Sequence, residues 1–215
     1  FEERLIDAVN AAGVDLNAAV TYDHIAPTLT FVSGLGPRKG HALRQKIIVQ
    51  GGSVKSRAEL LERKLLQTNV YTNAAGFLRV QPLDAEQTDG YDPFDATRIH
   101  PECYVTYEWA QKICADALED SYSGSNYAEI VEQLHRHISR VLAKTLRDKP
   151  HWHPDTAGTE DELKDKVYDL DLDAYAGVLE EQGAGKRRLQ LYQIKMELRF
   201  PFLDRRQPFT NPTPE

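Results

Sequence analysis

Long apolar runs are missing from this chain of 215 residues. Nothing in it approaches the roughly 18 consecutive apolar residues of a membrane-spanning helix, which argues against a membrane partner. Cysteine is scarce too. Cys103 and Cys114 are too few for a disulfide framework, and on a single helix about 16 Å of rise would separate them. Two free thiols in a reducing, intracellular compartment are the expectation. A secretory leader is lacking, since Phe1-Glu2-Glu3-Arg4 runs straight into an amphipathic helical pattern. The chain starts without Met and ends on Asn211-Pro212-Thr213-Pro214-Glu215, so it reads as an excised fragment. Metal-ligand spacing is absent. His135 and His137 stand two apart and face different ways, and His151-Trp152-His153 has no further Cys or His at metal spacing. Asp169, Asp171 and Asp173 read as residues at a helix start, one of them a cap. No nucleophile–base constellation presents itself, so no catalytic residue, metal or cofactor is expected.

Acid is missing from one stretch alone. The net charge of −7 argues against a generic nucleic-acid binder. Yet no acid lies between Asp23 and Glu59, where Arg38, Lys39, Arg44, Lys46, Lys55 and Arg57 all fall. The acids gather instead at Asp84–Asp95 and Asp155–Asp173. This distribution predicts one cationic face on an acidic protein.

The periodicity is helical throughout, with no strand alternation. Leu5, Ile6 and Val9 form a stripe that Gly13 ends. A second helix from Leu16 is interrupted near Pro27, and a third begins at Pro37 and stops at Gly51-Gly52. Ser56 and Glu59 predict a capping box before Leu60, Leu61, Leu65 and Leu66. Leu83 to Pro101 reads as a linker or an extended wrap. Beyond it, Val105, Trp109, Ile113 and Ala117 take helical spacing, and Ile130, Leu134, Ile138, Val141, Leu142 and Leu146 form the clearest stripe. After a polar loop at Asp148–Gly158 come a short helix at Leu163 and Val167, another over Leu172, Tyr175, Val178 and Leu179, and a last over Leu189, Tyr192, Met196 and Leu198. The fold class is therefore all-α, in two regions, 1–95 and 96–215.

One turn carries chemistry. Gly34-Leu35-Gly36 joins two helices and is followed by Arg38 and Lys39. Glycines let the backbone turn tightly and present N–H groups without a Cβ in the way. Those groups sit at a helix N-terminus, where the dipole favours an anion, and the cations add charge. Leu35 is expected to point inward and hold the two helices together. Such a helix-hairpin-helix reads phosphate rather than base, so DNA or RNA backbone would bind weakly, without sequence preference, through Gly34, Leu35, Gly36, Arg38 and Lys39. A dinucleotide fingerprint fails because Lys39 stands at the third glycine position and no strand precedes the turn. A P-loop at Gly185-Lys186 fails because Arg187 replaces Ser/Thr. The second hairpin, around Lys64-Leu65-Leu66-Gln67-Thr68, lacks the Gly-hydrophobic-Gly turn and is expected to be structural.

The stretch Phe31–Lys39 resembles the first hairpin of the Tex family of transcription factors, as do Asn73–Val80, Leu83-Asp84 and Ile99-His100-Pro101-Glu102. Leu172–Ala176 and Gly183-x-Gly185-Lys186-Arg187 are similar to the death-like domain of its eukaryotic branch of elongation factors and histone chaperones. The resemblance implies a tandem helix-hairpin-helix domain followed by a death-like helical bundle. It implies a nuclear, non-enzymatic protein that works with the RNA polymerase II elongation complex and with histones through its full length. Two other readings stay open. The fragment could bind only proteins, with the hairpin kept for the fold, or it could belong to a hairpin-containing repair enzyme.

Overall fold

The computed structural model describes residues 2–83, 90–118, 127–148 and 167–199. α1 (Glu2–Ala12) ends at Gly13, where a φ of +69° reverses the chain. Asp15 then caps α2 (Leu16–Thr21), its carboxylate accepting the N–H groups of Asn17 and Ala18 at 2.9 and 3.1 Å. Burial pushes the Asp15 pKa up, against the pull of those two bonds and of Arg79. The interruption expected near Pro27 is a 3-10 helix, Ala26–Phe31, and α3 (Gly36–Val49) follows with Pro37 in its first turn.

The described chain is predominantly helical. Its one strand pair had no sequence signal: Val14–Asp15 (β1) lies parallel to Leu78–Arg79 (β2). Two residues are too few to show alternation. The pairing is held beside it by Asn17, buried on α2. Its Nδ2 donates to the Val54 and Gln81 carbonyls at 2.9 and 2.8 Å, and its Oδ1 accepts the Val54 N–H at 2.9 Å.

A second hairpin pairs α4 (Glu59–Glu62) with α5 (Thr68–Ala74). The capping box expected from Ser56 and Glu59 does not form. Ala58 occupies the cap position, which puts Glu59 in the first helical place, and its Oε1 accepts the Lys55 N–H at 3.2 Å.

Buried side chains gather in two clusters. The first runs from Val14 to Val80 and includes Leu16, Leu29, Leu43, Ile47, Leu60 and Leu78. The second begins at Phe94 and continues to Leu198. The stretch expected to be a linker is thus, in its last third, a core element. A 3-10 helix at Pro93–Ala96 buries Phe94, and Ile99 follows it inside. The segment has few apolar residues, which hid this, but Phe94 and Ile99 are both used.

A single π-helical turn, Glu102–Thr106, leads into α6 (Trp109–Leu118). Then come α7 (Tyr127–Asp148), α8 (Leu172–Glu181) and α9 (Arg188–Arg199). α6 packs on α7, α8 on α9, and α9 on both α6 and α7. Asp171 caps α8, accepting the N–H groups of Asp173 and Ala174 at 3.1 and 3.0 Å. Val167 is buried in a turn rather than on a helix, while Leu163 and the polar loop with His151 and His153 lie outside the described residues. On α9 the helical period is right and the phase only partly so: of the expected stripe Leu198 is buried and Met196 half-buried, but Leu189 and Tyr192 are exposed. Leu191, Ile194 and Leu198 are buried, whereas Leu189, expected inside, is 86% exposed. Apolar residues on both faces left the phase undetermined until α6 and α7 chose one. Cys103 and Cys114 are buried free thiols. Burial pushes both thiols up, Cys103 to about 11, which keeps them protonated and unreactive. No described helix is long and apolar enough to cross a membrane.

Candidate nucleic-acid interface

The first hairpin is the 3-10 helix at 26–31, a tight turn, and α3. The two helices cross where Gly40, in the interior of α3, meets the backbone of Leu29. A Cβ on Gly40 would lie 2.8 Å from the Leu29 carbonyl oxygen, so only glycine permits this approach. Gly34 and Gly36 in the turn have φ of +88° and +69°, a region costly for any L side chain. They differ in surroundings. A Cβ on Gly34 would come within 3.0 Å of Asn73 Cβ on α5, whereas one on Gly36 would meet nothing within 4 Å. Leu35 between them is buried, pinning the turn to the core as expected.

The turn is also held from α1. Asn10 Oδ1 accepts the Ser33 N–H at 2.9 Å, and its Nδ2 donates to the carbonyls of Ile6 and Phe31 at 2.7 and 3.3 Å. Asn10 therefore fixes the entry into the loop from 23 residues upstream.

Five residues were expected to meet phosphate, and the structure sorts them. The Leu35 side chain is buried and its N–H donates to the Val32 carbonyl at 3.0 Å, so Leu35 serves the turn rather than a ligand. Gly34, Arg38 and Lys39 are exposed and Gly36 is half-buried. The amides of Gly36 and Arg38 fall in the first turn of α3, where helix geometry provides no preceding carbonyl. No side chain caps this end and no acid occupies its first turn, so the helix dipole there is uncompensated. Lys39 Nζ reaches back to the Gly34 carbonyl at 3.3 Å, which places its ammonium over the loop. Among the described residues, nothing engages the Arg38 guanidinium. Beside the hairpin runs a groove of about 240 Å³, flanked by Lys39 and Lys46 and floored by Leu43, Leu65 and Val70.

The wider basic window does not form one cationic face, and this corrects the charge-based expectation. Arg44 closes the C-terminus of α2, its guanidinium donating to the carbonyls of Ala19 and Val20 at 3.1 and 3.2 Å and to Asp23 at 2.5 Å. Lys46 donates to the Leu65 carbonyl at 3.2 Å, tying α3 to the second hairpin. Arg57 is 1% exposed. Its backbone N–H donates to Asp95 Oδ2 at 2.8 Å, and its guanidinium donates to the carbonyls of Asp95, Thr97 and Ile99. Tyr104 also donates to Asp95, and burial keeps its hydroxyl far above the usual range and hence protonated. This network joins the two cores. A second join is made where His100 Nε2 meets the Thr72 carbonyl at 3.0 Å, while within the second region Glu197 accepts the Arg98 N–H at 3.1 Å.

Asn10, Gly40 and Asn73 complete the hairpin, and sequence reasoning named none of them for this role. Only Gly40 carried a signal. A glycine inside a helix is costly and marks a close backbone approach.

Residues 1–81 match the protein family described as Helix-hairpin-helix motif. Over its whole length the chain is 35% identical to the Suppressor of Ty 6 homolog of Caenorhabditis elegans, of which it spans 12%. The chain belongs to the Suppressor of Ty 6 family. It is likewise 35% identical to the transcription elongation factor SPT6 of Mycosarcoma maydis, matching 100% of the chain and 11% of that protein. With SPT6 of Drosophila melanogaster it shares 31% identity over 99% of the chain and 10% of that protein. The chain thus spans about a tenth of the length of these Suppressor of Ty 6 relatives. The hairpin at Gly34 lies inside the helix-hairpin-helix match, while the similarity to the family continues through α9.

Proposed function

We propose that the first hairpin is a sequence-independent foothold for the phosphate backbone of DNA or RNA, within a transcription elongation factor. The observation that carries this is the open N-terminus of α3. It has positive-φ glycines, an uncapped first turn without acid, and two exposed cations, Arg38 and Lys39, the latter held over the loop by the Gly34 carbonyl. The phosphate would be held by the amides of Gly36 and Arg38 and by the two side chains. Lys39 and Lys46 would let the backbone continue along the groove beside α3. With one such turn, binding is weak. The relatives' names supply transcription elongation; on our reading it takes place in the nucleus, with RNA polymerase II and histones engaged through the full-length protein. In that role the segment is a non-enzymatic module. The cores divide between Val80 and Phe94, which supports two units, a helix-hairpin-helix domain and a death-like bundle, with the boundary a few residues earlier than the 1–95 and 96–215 read from the sequence, since Phe94 belongs to the second core.

A second reading, a protein-binding scaffold whose hairpin serves the fold, is favoured by one observation. Gly34 is packed against α5 and the loop is tied to Asn10, so the turn has a structural use without any ligand. Titration of labelled single- and double-stranded DNA and RNA across a salt series separates the two. For one or two phosphates the log–log slope should lie near −1 to −2, at about −0.9 per phosphate. Arg38→Glu with Lys39→Glu should abolish it. Salt-insensitive binding, or binding unchanged by the charge reversal, leaves only the scaffold reading.

A further inference from the structure

A larger concavity than the groove beside α3 lies away from the hairpin. It is a groove of about 720 Å³ between the start of α6 and the corner where α8 turns into α9. One wall is the segment Tyr107-Glu108-Trp109, and the other is Val178 and Leu179 on α8, with Lys112 and Arg187 along its edges. Three observations bear on what it holds.

First, the wall is aromatic, and both faces of its Trp109 are occupied. Tyr107 stacks on Trp109 with centroids 4.4 Å apart and planes 9° from parallel, and the Arg187 guanidinium lies over Trp109 at 5.7 Å. Trp109 is consequently 4% exposed. A nucleobase would find no open face on Trp109 and at most the outer face of Tyr107, which disfavours a stacked run of bases. Second, apolar surface is left in water. Val178 is 47% exposed and Tyr107 41%, on opposite walls of the groove.

Third, the local charge is positive on a chain whose net charge is −7. The groove is lined by two cations, Lys112 and Arg187, and one acid, Glu108. Lys186 is exposed next to Arg187. The basic trio of the sequence is thereby divided. Arg188 is neutralised by Asp173 at 2.7 Å, while among the described residues Arg187 has only neutral hydrogen-bond partners, the Ala184 carbonyl at 2.8 Å and Gln190 Oε1 at 3.1 Å. Among the described residues, the Lys112 ammonium has no ion-pair partner.

We propose that this groove docks an acidic peptide segment of a partner protein, with an aromatic or aliphatic side chain seated between Tyr107 and Val178 and carboxylates meeting Lys112 and Arg187. Apolar walls supply the anchor pocket and the cationic edge selects against basic and neutral segments.

A displayed library of random peptides about twelve residues long, panned on the full chain, tests this. The expected result is enrichment of peptides that combine Asp or Glu with an aromatic or aliphatic residue. A synthetic copy of an enriched peptide should lose about tenfold or more in affinity on Lys112→Glu and on Val178→Asp. Both positions are exposed, so thermal midpoints should stay close to wild type and show that the fold is kept. Arg38→Glu with Lys39→Glu should leave peptide binding unchanged. No enrichment, enriched peptides without acids, or binding indifferent to Lys112→Glu and Val178→Asp overturns the proposal. So does oligothymidine that binds the chain and is lost with those two variants, since that would make the groove a nucleic-acid site.

Discussion

The two hairpins of this chain have the same plan and use their basic residues in opposite ways. In the first, Gly34 at φ +88° leads to the buried Leu35, then Gly36 at φ +69° opens α3. In the second, Lys64 at φ +53° leads to the buried Leu65, and Leu66 stands where the second glycine would be. Each turn thus has one left-handed residue and one inward leucine, which are what the corner needs. Only the first adds the second left-handed residue that turns amides outward. The cations follow suit. Arg38 and Lys39 are exposed on the first hairpin, whereas on the second Arg57 is buried and Arg63 donates to the Ser53 carbonyl and Glu59 at 2.8 and 2.9 Å. On the proposed reading a fold can duplicate a corner without duplicating a binding site, because the surplus glycine and the exposed charge are separable from the packing.

The largest test of that contrast concerns two arginines of the same acid-free window. Arg57→Met leaves Asp95 buried without its cation and removes donors from the carbonyls of Thr97 and Ile99. The expected loss is about 3–5 kcal/mol, read from urea unfolding. Arg38→Met, at an exposed position, should change stability by less than about 0.5 kcal/mol while weakening nucleic-acid binding. Equal stability losses at the two sites would show that the first hairpin is as structural as the second.

The glycines give the next effect. Gly34→Ala carries both a left-handed penalty and a Cβ crowded by Asn73, and should cost about 2 kcal/mol or more. Gly36→Ala has the penalty alone, about 1 kcal/mol, since its Cβ would meet open space. The order matters more than the values. If Gly36→Ala proves the more damaging to stability, the second glycine is a packing device and the outward amides lose their rationale.

How far these features could be read in the sequence depends on the range of the interactions that make them. The helical class, the turn at Gly34–Gly36, the inward Leu35 and the proline opening α3 follow from local periodicity and φ preference, and they were legible. So was the deficiency of the second turn. The fate of the cations was not. Arg57 and Arg38 sit in the same acid-free window, and only a partner 38 residues away, Asp95, makes one of them internal. The same holds for Asn10 and for the strand pair, both of which depend on contacts distant in sequence. Phe94 and Ile99 looked like linker because burial of a sparse segment is decided by the core it meets rather than by its own composition.

The smallest effect belongs to Lys64, and it isolates the geometric half of the contrast. Its φ of +53° is unfavourable for a lysine, so Lys64→Gly relieves local strain. Glycine also gains freedom in the unfolded chain, worth about 0.5–1 kcal/mol in the other direction. The two nearly offset, leaving a net gain below about 1 kcal/mol, measurable as a small rise in the urea midpoint. Nucleic-acid affinity should not move, because Leu66 still holds the position at which the first hairpin has Gly36 and its side chain remains packed on the core. A rise in affinity on Lys64→Gly would mean that one left-handed glycine suffices for a phosphate nest. The second glycine, and with it the distinction between a binding and a structural hairpin, would then have to be given up.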